Sequence, residues 1–598
     1  MVSDDIQSET DMSPEIRIGE GLKDAESDED PGRGSKSRGG WELDDSRLSW
    51  HRSVTILSDR SLLGLRMTSA GQSDPLYSPA SGERHSRLWR LSFYAVVCGL
   101  GALAVSHGAD AGVTWDEPYH VEYGERILRW FGSGFRNQDA MTYSNLFLYG
   151  GWFDALAQLV TRVSSAGVYE SRHVLTSVLG VVGVSLAGAT AARIGGPAAG
   201  FAAAVCLALC PAWVGHALFN PKDLPFAVGA IAVVWASVRM AEAPFPPSWR
   251  GAIITGVSLG AALGVRMGGV FLLAAPAVTL LVRTLKEKRS TTARPTADRT
   301  LVTLGVILLI AWSIAVLAWP WALVSPIERP IMAILAAGRY PFDPEILFAG
   351  QMFRANDAPR TYLPTWFAVT TPEFILLALA LGVVAAVRLW PRRTPFAMAA
   401  LGAVATTAVV PVAVAVVTRP TLYDGMRHFL FVVPMLAILA GVGVVAFTRT
   451  LTQRSSRAVA VIAMVAAGAL TLYDLTALHP YQYVYFNRVS GGLKHAAGRF
   501  ETDYWGASYK EAFEWAVAHA EKAGIPSPIR VSSCDRYSNL RLEYYRARSK
   551  EAARTMVIVP SDADADLFIA VTRYNCHAIP GTRLHVVSRQ GVGLAYVI

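Results

Sequence analysis

Charge is the first thing this 598-residue sequence is short of. Lys, Arg, Asp and Glu make up 17% of it and hydrophobic residues 52%, with a mean hydropathy of +0.31. Soluble globular chains are usually about one quarter charged, so the shortfall fits a chain whose middle is solvated by lipid. Other absences narrow the chemistry. There is no Walker loop and no Gly-x-Gly-x-x-Gly following a strand, so nucleotide-driven chemistry has no support. No Cys/His spacing suggests structural zinc, and no internal repeat is detectable. No apolar run near Met1 resembles a secretory signal. Cysteine is scarce: Cys98, Cys206 and Cys210 lie in or beside apolar runs, while Cys534 and Cys576 lie in a polar C-terminal segment. That pair can form a disulfide if the segment faces an oxidising compartment, but their spacing is no evidence of proximity.

What is present is a series of apolar runs long enough to cross a bilayer, which takes roughly 20 residues. They fall at 89–107, 172–192, 197–215, 224–240, 250–265, 268–283, 301–320, 372–390, 397–417, 429–447 and 458–474, about eleven spans. The net charge of +8 is spread over short basic loops such as Arg283 to Arg289, Arg388 to Arg393 and Arg449 to Arg457. Short basic loops stay cytoplasmic during insertion, so this charge orients the chain and calls for no nucleic acid. With the N-terminus inside, every even-numbered span ends near Arg or Lys. Asp116, Glu117, Asp223, Glu328, Asp343 and Asp424 then fall on outer ends. The expected organisation is a disordered cytoplasmic tail over 1–87, a transmembrane domain over 88–474 with outer loops 108–170 and 320–371, and an extracytoplasmic α/β domain over 475–598. An amphipathic helix is expected from Ser508 to Ala523, and strands near Thr555–Val559 and Asp566–Val571.

The polar residues worth singling out sit on the outer loops. The first opens with Thr114-Trp115-Asp116-Glu117-Pro118-Tyr119-His120. A carboxylate there can act as general base on an acceptor hydroxyl, or the segment is an interfacial Trp anchor beside solvated acids. The second holds His216-Ala217-Leu218-Phe219-Asn220-Pro221-Lys222-Asp223, where Lys222 offers a cation for phosphate and Asp223 another carboxylate. Read blandly, it is a loop bent by prolines. Arg266 lies between two apolar runs, either as a phosphate ligand or as a snorkelled anchor. Tyr423-Asp424-Gly425-Met426-Arg427-His428 opens the tenth span. Its Arg and His at a helix start suit an anion, or Arg427 makes a salt bridge to an outer-loop acid. Asp343, Glu345, Gln351, Arg354 and Asn356 occupy the long outer loop, where interfacial helices are expected. The aromatics of His479–Tyr483 and Glu501–Gly506 suit sugar stacking or an interfacial belt. No metal ligand set is assigned, and a divalent ion on the acidic loops is left open.

The early Trp-Asp-Glu loop, the Phe-Asn-Pro-Lys-Asp loop and the Asp-Gly-Met-Arg-His segment resemble polytopic GT-C glycosyltransferases. The similarity is to the branch of protein O-mannosyltransferases and aminoarabinose transferases, over roughly 88–510. The resemblance implies a polyprenyl-phosphate-linked sugar donor, a glycan, lipid or protein acceptor, and inverting transfer on the outer face of the inner membrane. It makes Asp116 the general base, with Glu117 assisting or orienting the acceptor and Asp223 in the second-loop acidic position. Lys222 would approach the donor phosphate, Arg266 and Arg427 would hold it as it departs, and His428 lies beside them. Tyr119, His120, Asn220 and Asp424 are candidate substrate contacts. The C-terminal domain matches neither named relative. The rival reading is a transporter or flippase of lipid-linked sugars, which calls for repeated halves or broken helices. A non-catalytic scaffold would have no use for Asp116 and Asp223.

Overall fold

The computed structural model describes residues 83–598 apart from 245–246, 291–295, 339 and 390–393, and side chains outside 83–85 and 287–296. Of the expected tail, residues 1–82 lie outside this description. The last few residues of that segment already belong to the first helix, α1 (Glu83–His107).

The first outer loop is itself folded. It contains α2 (Glu117–Gly132) and α3 (Trp152–Val163). Pro118 suits the first turn of α2 because its missing N–H would have had no partner there. The buried positions His120, Tyr123, Gly124, Ile127 and Trp130 recur at three- and four-residue intervals, which gives the helix one inward face. Then follow α4 (Val168–Gly195), α5 (Pro197–Ala208), α6 (Pro211–Phe219), α7 (Asp223–Glu242), α8 (Trp249–Leu263), α9 (Ala274–Ser290) and α10 (Thr296–Leu317). The 3₁₀ turn Met267–Leu273 leads into α9. The long outer loop carries α11 (Glu328–Ala336) and the hairpin β1 (Glu345–Phe348) and β2 (Gln351–Arg354). Asp343 pairs with Arg354 and accepts from the Asn356 backbone N–H, so the polar residues read there as candidates shape the hairpin. After it come α12 (Tyr362–Thr370), α13 (Glu373–Leu389), α14 (Pro395–Thr418), α15 (Val433–Thr450) and α16 (Arg454–Leu478).

Among the described residues, eight helices are long and apolar enough to cross a membrane, ten if two bent pairs each count as one span. The pairs are α5 with α6, bent by 64°, and α12 with α13, bent by 108°. Adding the shorter apolar helix α8 matches the eleven apolar runs one for one. The 197–215 run is a broken span rather than a straight one, with Pro211 restarting the helix after the break. Where helices cross closely, small residues allow it. A Cβ on Gly443 would stand 2.6 Å from the Gly382 Cα, so α13 and α15 touch backbone to backbone.

Beyond α16 the chain forms a five-stranded mixed sheet ordered β4 (Met556–Ile558), β3 (Ile529–Ser533), β5 (Leu567–Val571), β7 (Val592–Val597), β6 (His585–Arg589). The first three strands are parallel, and β6–β7 is an antiparallel hairpin set against β5. Helices α17 (Tyr509–His519) and α18 (Arg536–Arg548) cover it. Asp535 caps α18 by accepting from the Tyr537 and Ser538 N–H groups. Cys534 and Cys576 are joined in a disulfide. Most of the buried apolar residues form one cluster running from Trp213 and Trp319 among the membrane helices to Phe513 and Val531 in the C-terminal domain, and Tyr123, Ile127, Ala140 and Leu146 form a separate small one under α2.

Candidate functional site

Asp116 and Glu117 point in opposite directions. Glu117 is 1% exposed and turned inward, where it accepts from the Thr114 N–H at 2.8 Å and the Thr114 hydroxyl at 2.9 Å and pairs with His173 Nε2 at 2.7 Å. One turn on, His120 packs against Asp154 at 3.1 Å, and Arg172 reaches the same carboxylate at 3.2 Å. These buried polar contacts lock α2 onto α3 and α4. Asp116 precedes the helix, and its side chain stays 35% exposed in the cleft.

Asp116 meets Arg427, whose Nη1 lies 2.8 Å from Oδ2. The same guanidinium reaches Asp424 through Nη2 at 3.0 Å, and it lies between the rings of Tyr423 and Trp505, 4.9 and 4.5 Å from their centroids. Asp424 in turn holds Arg573 of the outer domain at 2.8 Å, and Arg573 Nη1 donates to the Tyr504 carbonyl at 2.5 Å. Asp424 adopts a left-handed φ of 56° and is followed by Gly425 at 70°. Such backbone is uncommon for a non-glycine residue, and here the two arginines hold the turn in place. A line of alternating charge thus runs Asp116–Arg427–Asp424–Arg573. Partial burial disfavours the charged form of Asp116, but Arg427, with His120 and Lys222, holds its pKa below the ordinary carboxylate value. Glu501 lies buried nearby. Burial pushes its carboxyl up to about 8 against the pull of Arg573, with Asp424 adding to the rise.

The second loop supplies the other half of the cleft. The Asn220 side-chain oxygen Oδ1 accepts from the backbone N–H groups of Lys222 at 3.1 Å and Asp223 at 2.8 Å. Its amide nitrogen donates to Asp223 at 3.0 Å and lies 2.9 Å from His216. This turn leads into α7 and aims Asp223 at Arg266, with which it forms an ion pair. Lys222 Nζ sits 3.3 Å above the Tyr149 ring, and Arg266 lies 5.8 Å from the same ring. Among the described residues, no carboxylate lies within salt-bridge distance of Lys222. Burial and the neighbouring Arg266 bring its pKa down to about 7, against the attraction of Asp116 and Asp223.

The residues singled out in the sequence therefore divide. Asp116, Lys222, Asp223, Arg266, Asp424 and Arg427 come together, and His428 lies next to them, edge-on to Tyr423 at 4.7 Å. Glu117, His120 and Asn220 are buried and committed to holding the loops. Tyr119 faces Tyr537 of α18 at 5.2 Å. Arg427 makes the salt bridge to an outer-loop acid that was one of its two readings, and both of its terminal nitrogens are taken. Tyr481, Tyr483, Tyr504 and Trp505 are buried, which places them neither in an interfacial belt nor on an open sugar platform. Sequence reading missed Tyr149, Asp154, His173 and Arg573. The pair Arg172-His173 opening an apolar span was a usable signal, because ionisable groups there need partners. Nothing in the sequence around Arg573 marks it.

Residues 150–320 match the family model described as dolichyl-phosphate-mannose-protein mannosyltransferase, a stretch that includes Asp154, Lys222, Asp223 and Arg266. A search of curated proteins finds no match. Among solved structures, the chain is similar to ArnT from Cupriavidus metallidurans bound to undecaprenyl phosphate, at 15% identity over 85% of this chain and 98% of that one, with a TM-score of 0.41. It is also similar to the archaeal oligosaccharyltransferase AglB from Archaeoglobus fulgidus in complex with an inhibitory peptide and a dolichol-phosphate, at 12% identity over 79% and 65% of the two chains and a TM-score of 0.43. A third is the arabinosyltransferase EmbB from Mycobacterium smegmatis, at 15% identity over 64% and 32% and a TM-score of 0.37. At these scores they are likenesses only. The family-model match covers residues 150–320 alone, which hold the second of the three loop motifs.

Proposed function

We propose that this protein is an inverting membrane glycosyltransferase that moves a sugar from a polyprenyl phosphate to an acceptor hydroxyl. The observation that carries this reading is that a part-exposed carboxylate, Asp116, and a cation with no carboxylate within salt-bridge distance among the described residues, Lys222, come from separate loops and lie near enough to attract each other. The name of the matched family joins the same two elements, a lipid phosphate and glycosyl transfer. Asp116 takes the proton of the acceptor hydroxyl as its oxygen attacks the anomeric carbon. The bond from that carbon to the phosphate oxygen breaks on the opposite side, and the lipid phosphate leaves with the electron pair. Lys222 and Arg266 stabilise the charge building on it. Arg427, shared by Asp116 and Asp424, fixes the base. Glu117, Asn220 and His120 hold the loops that carry these groups.

The cleft belongs on the outer face, with the N-terminus cytoplasmic and the C-terminal domain outside the inner membrane. Two observations support this. Basic residues such as Arg193 and Arg239 end alternate spans away from the cleft. In addition, His107 ends the first span and His479 follows the last, yet their rings lie 6.1 Å apart. Ends that meet lie on one side, so the crossings between them are even in number; with the first span added the total is odd, which counts α8 as the eleventh.

The deciding experiment supplies purified protein with a radiolabelled polyprenyl-phosphate sugar and a set of glycan, lipid and peptide acceptors. Acceptor-dependent release of lipid phosphate with a labelled product is the expected result. Labelled donor that crosses liposomes without any glycosidic product overturns the proposal in favour of a transporter.

A further inference from the structure

A second constellation lies away from the cleft. His107 closes α1, Asp110 lies in the turn before the Trp-Asp-Glu motif, and His479 follows α16. Their ligand atoms all fall within 4.8 Å of one another. Asp110 Oδ2 is the meeting point, 3.0 Å from His107 Nδ1 and 2.9 Å from His479 Nε2. Among the described residues, no other group of three His, Cys, Asp or Glu side chains converges so closely. In sequence, 369 residues separate Asp110 from His479, which is why no local spacing revealed the set.

We propose that these three residues bind a zinc ion and clamp the end of the first span to the end of the last. The chemistry of the donors selects the metal. Two imidazole nitrogens and one carboxylate oxygen suit zinc, whereas magnesium and calcium favour all-oxygen sets. Both imidazoles are nearly at the right distance from Asp110. Zinc bonds of about 2.0–2.1 Å in a tetrahedron put ligand atoms about 3.3–3.4 Å apart, so each imidazole has to retreat from Asp110 by only about 0.4 Å. The three side chains are 57%, 40% and 36% exposed, which leaves water to complete the coordination.

The frame is built independently of any ion. Lys510 donates to the carbonyls of Ala109 and Asp110 at 3.2 and 3.1 Å, and Arg589 donates to the His479 carbonyl at 3.1 Å. His479 also has a partner for its other nitrogen: Gln482 Nε2 lies 3.0 Å from Nδ1. To bind metal through Nε2, His479 must carry its proton on Nδ1, so the Gln482 amide must present its oxygen there. That oxygen is buried and unpartnered as it stands. Turning the amide satisfies it at the loss of a 3.3 Å bond to the Leu475 carbonyl. Amide orientation of this kind follows its surroundings.

The test uses the full-length protein in detergent, stripped with chelator and titrated with zinc chloride. Bound metal is measured by elemental analysis and stability by thermal melting. One zinc per chain and a saturable rise in Tm are expected, with no rise from magnesium at the same concentrations. His107→Gln, on an exposed helix end, should fold normally and bind at least tenfold more weakly. Gln482→Leu, which removes only the outer partner, should weaken binding by about 10–100-fold. Any of three outcomes overturns the proposal. The first is that the parent takes up no zinc, and the second is that the Tm rise persists in His107→Gln. The third is zinc binding that survives His107→Gln but is lost in Asp116→Asn, which would put the ion in the cleft.

Discussion

A one-residue step at the start of α2 separates two carboxylates that are adjacent in the sequence. Asp116 faces the cleft and Arg427, whereas Glu117 is spent on Thr114 and His173. Substituting them should therefore have different effects. Asp116→Asn should lower kcat by about a hundred- to ten-thousand-fold and leave Tm unchanged. Glu117→Gln should cost about 1–3 kcal/mol of stability with a smaller loss of kcat. Melting curves and initial rates on the two variants separate the roles, and equal kcat losses with unchanged Tm would refute them. Lys222 makes a second expectation. With its pKa near 7, it is cationic below that pH and neutral above, so kcat/KM should fall as pH rises through about 7. A bound phosphate favours the cation, which moves the same limb upward in kcat. Lys222→Arg should remove the limb while retaining transfer. The acid limb, set by Asp116, should lie below the ordinary carboxylate range because its pKa is lowered. Of these residues the sequence disclosed the types and the loops. Which way each side chain turns depended on partners such as His173 and Arg573, far away in the chain.

At the level of elements, hydropathy finds apolar runs well, because a bilayer tests for little else. It cannot sense direction, so the 64° break after Ala208 and the 108° bend at Thr371-Pro372 were invisible, as was the folding of the first outer loop into α2 and α3. The outer-domain helix and strands were legible from periodicity. Their contribution to the site was not, because it comes from the irregular turn Arg573–Ala578 beside β5. That turn is fastened to the end of β3 by Cys534–Cys576, which close a loop of 42 residues. Replacing both cysteines by serine should cost about 2–4 kcal/mol and, by loosening the turn that presents Arg573 to Asp424, reduce kcat as well. Rates and Tm measured for the double variant and for the reduced parent should agree. A reduced parent with full activity and parental Tm would detach Arg573 from the site.

At the scale of the whole molecule, the proposed topology, with an odd number of crossings, puts the C-terminal domain on the same face as the cleft. An introduced cysteine at the exposed position Lys550, in a Cys98→Ser background, should react with a membrane-impermeant maleimide in intact cells. Labelling only after lysis would put the domain inside and the span count out by one. The line Asp116–Arg427–Asp424–Arg573 draws on the first outer loop, the tenth span and a turn near the C-terminus. A ribosome delivers those pieces in order. The base therefore emerges early and waits for its arginine until ten spans are inserted, and that arginine waits for the outer domain to close. A partly translated chain would hold donor-binding groups without an oriented base. On the proposed function, transfer then starts only once the turn bearing Arg573 has folded against Asp424.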